Sequence, residues 1–370
     1  MMHSVDIVVI GAGVIGLAIA ERLARPDRDL VVLERHDGFG RETSSRNSEV
    51  VHAGLYYREG LLKTTLCVRG NPLLYELCAR KGIPTRRTGK IVVATDEREV
   101  GQLHALRDQA VKNGVPGVEL VDRRRVQELE PRIEGLLGLW SPTSGIIDSH
   151  RLMGWLEHSA SARGATVGYR CEVTGIRRAA DRWQVEVAEP DGTRSVLDAA
   201  CVVNSAGLRA ETIAAMAGID TAGAGYRIHP CKGEYFRVSS RHRGILAHLV
   251  YPTPSSIALG THAVLGLDGS LRLGPNSLYV ESLDYDVDPA HREEFCTKAR
   301  RFLPFLELDD LSPDQSGIRP KLYRDGEPMR DFVIREESDR GFPGLIDLVG
   351  MESPGLTACL TIAELVERLL

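Results

Sequence analysis

Hydrophobic positions at the start of the chain change from the period of a strand to that of a helix and back again. Asp6 to Ile10 is a β-branched apolar run, Leu17 to Leu23 repeats apolar residues at helical spacing, and Asp29 to Leu33 is a second apolar run. Strand, helix and strand in this order form a βαβ unit with parallel strands. The pattern therefore predicts that the chain opens with a parallel α/β layer.

The parallel pattern then stops. Four further runs favour strands with too few helices between them for a doubly wound sheet: Lys90 to Ala94, Leu136 to Trp140, Val167 to Arg177 and Trp183 to Ala188. Helical periodicity returns at Glu99 to Asn113, His150 to Arg163 and Pro289 to Leu303. Meandering antiparallel strands are predicted at Lys232 to Val238, Gly244 to Tyr251, Ile257 to His262 and Leu271 to Gly274. Two apolar runs, Ala200 to Ala206 and Gly344 to Val349, indicate a return to the parallel layer.

Length and composition describe a folded chain of about two domains. The sequence has 370 residues, of which 43% are hydrophobic and 26% charged, and a domain takes about 150 residues. This composition is typical of soluble globular proteins and excludes intrinsic disorder. Lys and Arg number 46 against 51 Asp and Glu, a formal net charge of −5. That balance gives no attraction to a polyanion, so no nucleic-acid partner is expected.

Neither a membrane span nor a metal site is expected. Residues Val5 to Ala20 are apolar but contain three glycines and are shorter than the roughly 18 residues that a span needs, so they are predicted to be a buried strand and helix. The seven cysteines are scattered, without a C-x-x-C pair. They are expected to be reduced thiols in a cytoplasmic protein.

Three glycines follow the first strand at G-x-G-x-x-G spacing, as Gly11, Gly13 and Gly16. The first permits a tight turn, the second allows the backbone to approach a pyrophosphate, and the third allows the helix to pack closely on the strand. The helix N-terminus then offers N–H groups to the phosphates. Glu34, at the end of the second strand, can accept hydrogen bonds from ribose hydroxyls. The opening unit therefore predicts a dinucleotide site.

The last helix begins after the segment GMESPGLT. Ser353 is predicted to cap this helix, Pro354 suits its first turn, and Gly355 leaves space for a group to approach. A helix N-terminus here would stabilise negative charge on a ligand. The alternative is a well-capped terminal helix with no ligand.

Several segments together carry a resemblance that covers essentially the whole chain. The chain resembles the D-amino-acid-oxidase-like superfamily of FAD-dependent oxidoreductases, and within it the L-2-hydroxyglutarate dehydrogenases and oxidases. The resemblance is carried chiefly by DIVVIGAGVIGLAIA from Asp6, ETSSRNSEVVHAGLYY from Glu42, VVNSAGLRA from Val202, GIRPKL from Gly317 and MESPGLTACLTIAE from Met351. The chain departs from the pattern at Arg46, where the related enzymes often have Gly or Asn. This leaves the identity of the hydroxy acid open.

The resemblance implies an α/β fold of glutathione-reductase type with a discontinuous Rossmann-like domain. The expected FAD-binding domain comprises residues 1–85, 145–215 and 316–370, and an antiparallel-sheet substrate domain comprises residues 86–144 and 216–315. FAD is favoured over NAD because the expected floor of the site lies at residues 350–357 and no second G-x-G-x-x-G occurs. The FAD is expected to be non-covalent.

The same resemblance implies the cofactor-binding residues. They comprise the glycine turn, the end of the second strand, a Ser/Asn-rich loop, a backbone contact to the adenine and the two late junctions. These are Gly11, Gly13, Val14, Ile15, Gly16, Glu34, Arg35, Thr43, Ser44, Ser45, Asn47, Ser48, Val173, Ala206, Gly207, Gly355, Leu356 and Thr357.

The implied reaction is oxidation of a 2-hydroxy acid to the 2-keto acid by hydride transfer to flavin N5. Arg319 is expected to bind the substrate carboxylate, because a guanidinium forms a planar bidentate pair with it. Lys321 is either a second anion contact or a surface neighbour. His262 is favoured as the base and His52 as a flavin-side or substrate contact, since histidine titrates near neutral pH. Two wall residues of the substrate site are expected on neighbouring strands, Tyr251 and Lys232.

Two other functions stay open at this level. One is an amine or amino-acid oxidase of the same superfamily, and the other is a flavin-bound protein that binds a partner without turnover. The electron acceptor is expected to be oxygen or a quinone. The expected location is the cytoplasm or the inner face of a membrane, held there peripherally.

Overall fold

The computed structural model of the chain describes residues 2–254 and 261–370. Within these residues the α-helices are α1 (Val14–Leu23), α2 (Leu62–Lys81), α3 (Glu97–Lys112), α4 (Arg123–Leu129), α5 (Ser149–Ala162), α6 (Ala210–Met216), α7 (Arg292–Arg300) and α8 (Gly355–Leu369).

The strands of the described residues are β1 (Met2–Ile10), β2 (Leu30–Glu34), β3 (Val50–Val51), β4 (Thr85–Arg86), β5 (Lys90–Ala94), β6 (Glu119–Asp122), β7 (Leu137–Ser141), β8 (Gly145–Ile147), β9 (Thr166–Tyr169), β10 (Glu172–Ala179), β11 (Arg182–Ala188), β12 (Arg194–Asn204), β13 (His229–Val238), β14 (Leu249–Pro252), β15 (Ala263–Leu265), β16 (Leu271–Leu273), β17 (Leu278–Tyr279), β18 (Leu311–Lys321), β19 (Val333–Glu337) and β20 (Phe342–Val349). Most of the strand predicted at Ile257 to His262 lies outside the described residues.

The chain forms two compact units, each made of separate segments. The first comprises Met1–Ser45, Ser149–Pro230 and Arg319–Leu370, and the second comprises Arg46–Asp148 and Cys231–Ile318. Residues 46–85, expected in the first unit, lie in the second, because β3 and β4 both pair with β8 in a small sheet there. Assignment of the units to cofactor and substrate stays a prediction.

The first unit is built on a mixed sheet with a parallel centre. β1 lies between β12 and β2, β2 pairs with β9, and β12 also pairs with β20, all in parallel. The hairpin of β10 and β11 extends β12, and β19 flanks β20, both with antiparallel pairing. Helices α1 and α8 pack together, and Glu367 of α8 forms ion pairs with Arg22 and Arg25. The predicted α/β class with parallel and antiparallel sheets is confirmed.

The strand predicted over Val167 to Arg177 is two strands, β9 and β10. Arg170 between them has a φ of 56°, in the left-handed region. The backbone N–H groups of Arg170 and Cys171 donate to the carbonyl oxygens of His36 and Glu34, at 2.8 and 2.9 Å. The chain therefore turns across the end of β2, which a run of apolar residues does not reveal.

The second unit is built on a nine-stranded sheet among the described residues, in the order β17, β13, β16, β15, β14, β5, β7 and β6, with β18 beside β13. Helices α3 and α7 contribute Leu103 and Phe295 to its core, which also contains Val92 and Phe236. Strand β5 pairs in parallel with β14 and antiparallel with β7.

Two expectations about this sheet are wrong. Tyr251 lies on β14 and Lys232 on β13, and these are not neighbouring strands, because β15 and β16 lie between them. His262 immediately precedes β15 and does not end a strand. The first error arises because adjacent positions in the sheet do not follow the order along the chain, and the second because apolar pattern does not fix the end of a strand.

In the described parts of the chain, no helix combines the length and apolar character that crossing a bilayer requires. The same residues contain no group of three or more His, Cys, Asp and Glu side chains placed to hold a metal ion.

A buried carboxyl group in the first unit gives its stability a specific pH dependence. Asp347 of β20 is fully buried, and its Oδ1 accepts a hydrogen bond from Asn204 Nδ2 at 2.6 Å. Burial raises the pKa of Asp347 to about 7, and the nearby charge of Glu337 adds to this effect. The folded protein therefore holds a proton that an unfolded Asp, with a pKa of about 3.9, releases.

Replacing Asp347 with Asn is expected to flatten this pH dependence. Because the folded pKa is the higher one, its contribution to stability is complete below about pH 4 and is lost as pH rises towards about 7. The melting temperature of Asp347→Asn minus that of wild type should therefore increase as pH rises from about 4 to about 7. The corresponding change in the difference between their free energies of unfolding is at most about 4 kcal/mol. Asp27→Asn, on an exposed turn, is the control. A difference in melting temperature between Asp347→Asn and wild type that does not change with pH would contradict the raised pKa of Asp347.

Candidate functional site

The glycine turn lies at the junction of β1 and α1. Gly11 has a φ of +99°, and a Cβ added there would lie 2.8 Å from the carbonyl oxygen of Ser205. A Cβ at Gly16 would overlap the carbonyl oxygen of Gly11 and lie 2.7 Å from Ser205 Oγ. Both glycines are thus required by the close approach of α1, the end of β1 and the loop after β12.

A serine of the following loop reaches the start of α1. Ser44 Oγ accepts a hydrogen bond from the backbone N–H of Val14 at 3.0 Å, and a Cβ at Gly13 would lie 3.0 Å from it. The loop therefore places the Ser44 side chain at the positive end of the helix. Along this loop, Thr43 and Ser45 belong to the first unit, whereas Asn47 and Ser48 belong to the second.

The end of β2 presents a buried carboxylate next to the glycine turn. Glu34 Oε2 accepts from the N–H of Ala12 at 2.8 Å, and Oε1 accepts from the N–H of His36 at 2.9 Å. Arg35 beside it lies 3.9 Å from Glu172. Val173 follows Glu172 at an irregularity in the pairing of β10 with β11. The structure therefore brings Glu34, Arg35 and the backbone near Val173 to one edge of the sheet.

The two late junctions also lie in the first unit. Ser205 donates from its backbone N–H to the carbonyl oxygen of Ile10 at 3.1 Å, so Ala206 and Gly207 follow directly on the end of β1. Gly207 has a φ of +55°. A Cβ at Gly355, the first residue of α8, would lie 3.7 Å from Ile15 Cδ1, which places Gly355, Leu356 and Thr357 at the α8 end beside α1. Pro354 is the cap residue of α8, so the expectation that Ser353 caps it is wrong.

In the second unit, the two candidate histidines belong to one buried cluster. The carbonyl oxygen of His52 accepts hydrogen bonds from Asn71 Nδ2 of α2 at 2.9 Å and from Cys67 Sγ at 3.5 Å. Burial, together with the nearby Lys90 and His262, holds the pKa of His52 well below its usual value. The imidazole of His52 is therefore neutral at pH 7.

His262 stacks on Tyr251 within the same cluster. Their ring centroids are 3.6 Å apart and their planes differ by 7°. Lys90 Nζ lies 3.9 Å from the centroid of the Tyr251 ring. The structure thus unites His52, His262 and Tyr251, three of the predicted residues, around a lysine that was not predicted.

The remaining predicted residues are positioned by other contacts. Arg319 and Lys321 lie near the end of β18, half-buried, with Lys321 Nζ 4.8 Å from the Tyr323 ring. Being two residues apart on a strand, they share a face. Lys232 Nζ forms ion pairs with Asp284 at 3.1 Å and with Glu234 at 3.8 Å. Its charge is therefore already compensated.

Sequence reasoning missed three residues of the histidine cluster: Lys90, Tyr56 and Asn71. The signal for Lys90 was a single charge in a strand, KIVVA, that is buried along its whole length. A charged residue is almost never fully buried without a reason. Asn71 carried no comparable signal, because its role depends on how α2 packs.

Comparison with known proteins agrees with this architecture. The model of the DAO family, described as FAD dependent oxidoreductase, matches residues 6–369. The chain belongs to this family of FAD-dependent oxidoreductases. It is an enzyme of that class, and its cofactor is FAD. The glycine turn at the α1 N-terminus and the Glu34 carboxylate fit a dinucleotide of this kind.

Relatives of this oxidoreductase match over nearly its full length. The chain is 36% identical to the mitochondrial L-2-hydroxyglutarate dehydrogenase of Arabidopsis thaliana, covering 97% of this chain and 82% of that protein. It is 32% identical to the L-2-hydroxyglutarate dehydrogenase of Escherichia coli K12, covering 96% and 91%.

Solved structures share the fold of the oxidoreductase. The dithionite-reduced L-α-glycerophosphate oxidase of Mycoplasma pneumoniae with FAD bound has a TM-score of 0.90 at 25% identity, covering 100% of this chain and 95% of that one. The glycine oxidase of Geobacillus kaustophilus has a TM-score of 0.80 at 23% identity, covering 99% and 94%.

Proposed function

We propose that this oxidoreductase oxidises an L-2-hydroxyglutarate-like 2-hydroxy acid to the 2-keto acid. The observation that carries the proposal is the buried His52–His262 cluster, in which His52 is kept neutral. Oxidation of a hydroxyl group requires a base to take its proton, and a neutral imidazole can do so. The names of the relatives in a plant and a bacterium support the choice of substrate.

In this proposal the first unit holds FAD through the glycine turn, Ser44, Glu34 and the N-terminus of α8. Bound there, FAD would supply the hydride acceptor for oxidation at C2 of the substrate. The protein supplies binding, orientation and a proton acceptor. The backbone N–H groups at the start of α8 favour negative charge nearby, which suits the electron-accepting ring of the flavin.

The substrate carboxylate is assigned to Arg319. Its guanidinium can form two parallel hydrogen bonds to a carboxylate, which fixes orientation as well as charge. His52 and His262 remain alternative bases, because both rings belong to the cluster. His262 stays the favoured base, with His52 as a flavin-side or substrate contact.

Anaerobic bleaching of the flavin near 450 nm tests the reaction. We expect bleaching by L-2-hydroxyglutarate and little or none by its D-enantiomer or by amino acids. Bleaching by an amino acid alone would favour an amino-acid oxidase, and no bleaching by any of these compounds would favour a partner-binding flavoprotein. Reoxidation of the bleached protein by oxygen or by a soluble quinone then distinguishes the two proposed acceptors.

We also propose that the protein works in the cytoplasm or peripherally at the inner face of a membrane. A quinone acceptor would require contact with a bilayer. Cell fractionation tests this location, because recovery mainly with membranes after a high-salt wash would exclude the cytoplasm.

A further inference from the structure

Lys90 is a buried lysine of the histidine cluster. It is the first residue of β5 and only 1% of its surface is exposed. In the sheet it lies opposite Leu249 of β14, so Tyr251, two residues further on, shares its face. The Tyr251 ring lies 3.9 Å from Lys90 Nζ, and the Tyr56 ring lies 5.3 Å from it.

No carboxylate of the described residues lies within ion-pair distance of Lys90. Four titratable neighbours of Lys90 also provide no negative charge, namely Cys67, Tyr56, Tyr251 and His52. Burial raises the pKa of the Cys67 thiol to about 12 and raises the pKa of both tyrosines, while the pKa of His52 is lowered. A buried ammonium without an anion is costly, and burial lowers the pKa of Lys90 to about 7.

A second polar group of this cluster also lacks a partner. The hydroxyl oxygen of Tyr56 is buried and makes no hydrogen bond within residues 2–254 and 261–370. Buried hydroxyl groups are nearly always paired, so an unpaired one requires an explanation. Two buried donors of one cluster, an ammonium and a phenol, would both be satisfied by a single anion.

We propose that Lys90 and Tyr56 form an anion subsite that binds the second carboxylate of a dicarboxylic substrate. The inference rests on the proposed function and deepens it, because it names the group that would distinguish 2-hydroxyglutarate from a monocarboxylic 2-hydroxy acid. Lys232, another buried lysine, already has two acidic partners. The Lys90 ammonium lies against the Tyr251 and Tyr56 rings.

The test compares two substrates of equal carbon number, L-2-hydroxyglutarate and L-2-hydroxypentanoate, with the holoenzyme. Lys90→Met keeps an unbranched side chain without the terminal amino group and removes its charge. We expect the ratio of kcat/KM for L-2-hydroxyglutarate to kcat/KM for L-2-hydroxypentanoate to fall roughly thirty- to a thousandfold, whatever loss both substrates share through the altered charge beside His52. Lys90→Arg should retain part of the selectivity. Tyr56→Phe should lower kcat/KM for the dicarboxylate about tenfold.

Binding of glutarate, which cannot be oxidised, provides a readout independent of turnover. Titration of the wild-type holoenzyme at pH 8 in two buffers of different ionisation enthalpy should show proton uptake, because an anion raises the pKa of Lys90. Pentanoate should bind without this uptake. Lys112→Met, at an exposed position of α3, is the control and should behave as wild type.

The outcomes separate this inference from the proposed function. Equal loss with both substrates in Lys90→Met and Tyr56→Phe would overturn the subsite and leave 2-hydroxy-acid oxidation intact. Failure of wild type to oxidise either substrate, with Lys90-dependent glutarate binding retained, would overturn the reaction but keep the subsite. Glutarate binding unchanged in Lys90→Met would overturn the subsite in either case.

Discussion

The Gly16→Ala variant is expected to retain less than about a tenth of the FAD bound by wild type. The added methyl would overlap the carbonyl oxygen of Gly11 and approach Ser205 Oγ. Because both neighbours belong to the turn after β1 or to the loop after β12, α1 must move away from the sheet. Its N-terminus then no longer points at the pyrophosphate position. The flavin that acid precipitation releases from a weighed amount of protein measures the loss.

Two further glycines make this experiment specific. Gly101 of α3 has open space where a Cβ would lie, so Gly101→Ala should keep its FAD and gain about 0.5–1 kcal/mol of stability. Gly13→Ala meets only Ser44 Oγ at 3.0 Å and should weaken FAD binding while the apoprotein melts near the wild-type temperature. Stoichiometric FAD in Gly16→Ala would show that the turn tolerates the methyl.

A yellow protein pellet with a colourless supernatant in wild type would contradict non-covalent binding.

Replacing Arg319 with Lys is expected to lower kcat/KM for the hydroxy acid roughly thirty- to a thousandfold. Lysine keeps the charge but loses the planar fork, which leaves the substrate carboxylate with a poorer partner at a cost of about 2–4 kcal/mol. FAD content should stay near wild type, because Arg319 is not assigned to the cofactor. Steady-state kinetics per bound flavin provides the measurement.

Arg324→Lys provides a matched control for this variant. Arg324 is an exposed arginine just beyond β18 and donates a hydrogen bond to His229 Nδ1 at 3.2 Å. Its replacement should leave kcat/KM unchanged. If Arg319→Lys loses flavin while turnover per bound flavin is unchanged, Arg319 belongs to the cofactor site. The carboxylate partner would then have to be sought at Lys321 or Lys232.

The parallel layer could be predicted from sequence because its signals are local. The βαβ unit, the glycine spacing and the late apolar runs each reveal themselves within a few residues. Helix α2 could not be predicted in this way, since Gly70 and Pro72 interrupt its pattern. It forms because Asn71 is anchored on His52 and Thr143 and Leu74 is fully buried. Tertiary packing here outweighs local propensity.

The same contrast between local signals and tertiary packing applies to the residues of the candidate site. Residues within motifs, such as Gly16 and Ser44, could be named with a physical reason before the fold was known. Lys90 and Tyr56 could not, because their significance lies in missing partners, and a missing partner is visible only once the sheet has brought the neighbours together. Gly317 is an intermediate case. Its motif was recognised, but the reason, a Cβ that would overlap the carbonyl oxygen of Arg46, depends on the fold.

The strand order of the first unit has a consequence for synthesis of the protein on the ribosome. β12 lies between β1 and β20, so the parallel sheet lacks its last central strand until Val349 has been translated. The second unit is complete earlier, at Ile318. The nascent chain therefore carries apolar, unpaired strand edges through most of its elongation, which favours aggregation or chaperone binding. In the proposed FAD site the start of α8 contributes Gly355 to Thr357, so that site is complete only after these residues have been translated.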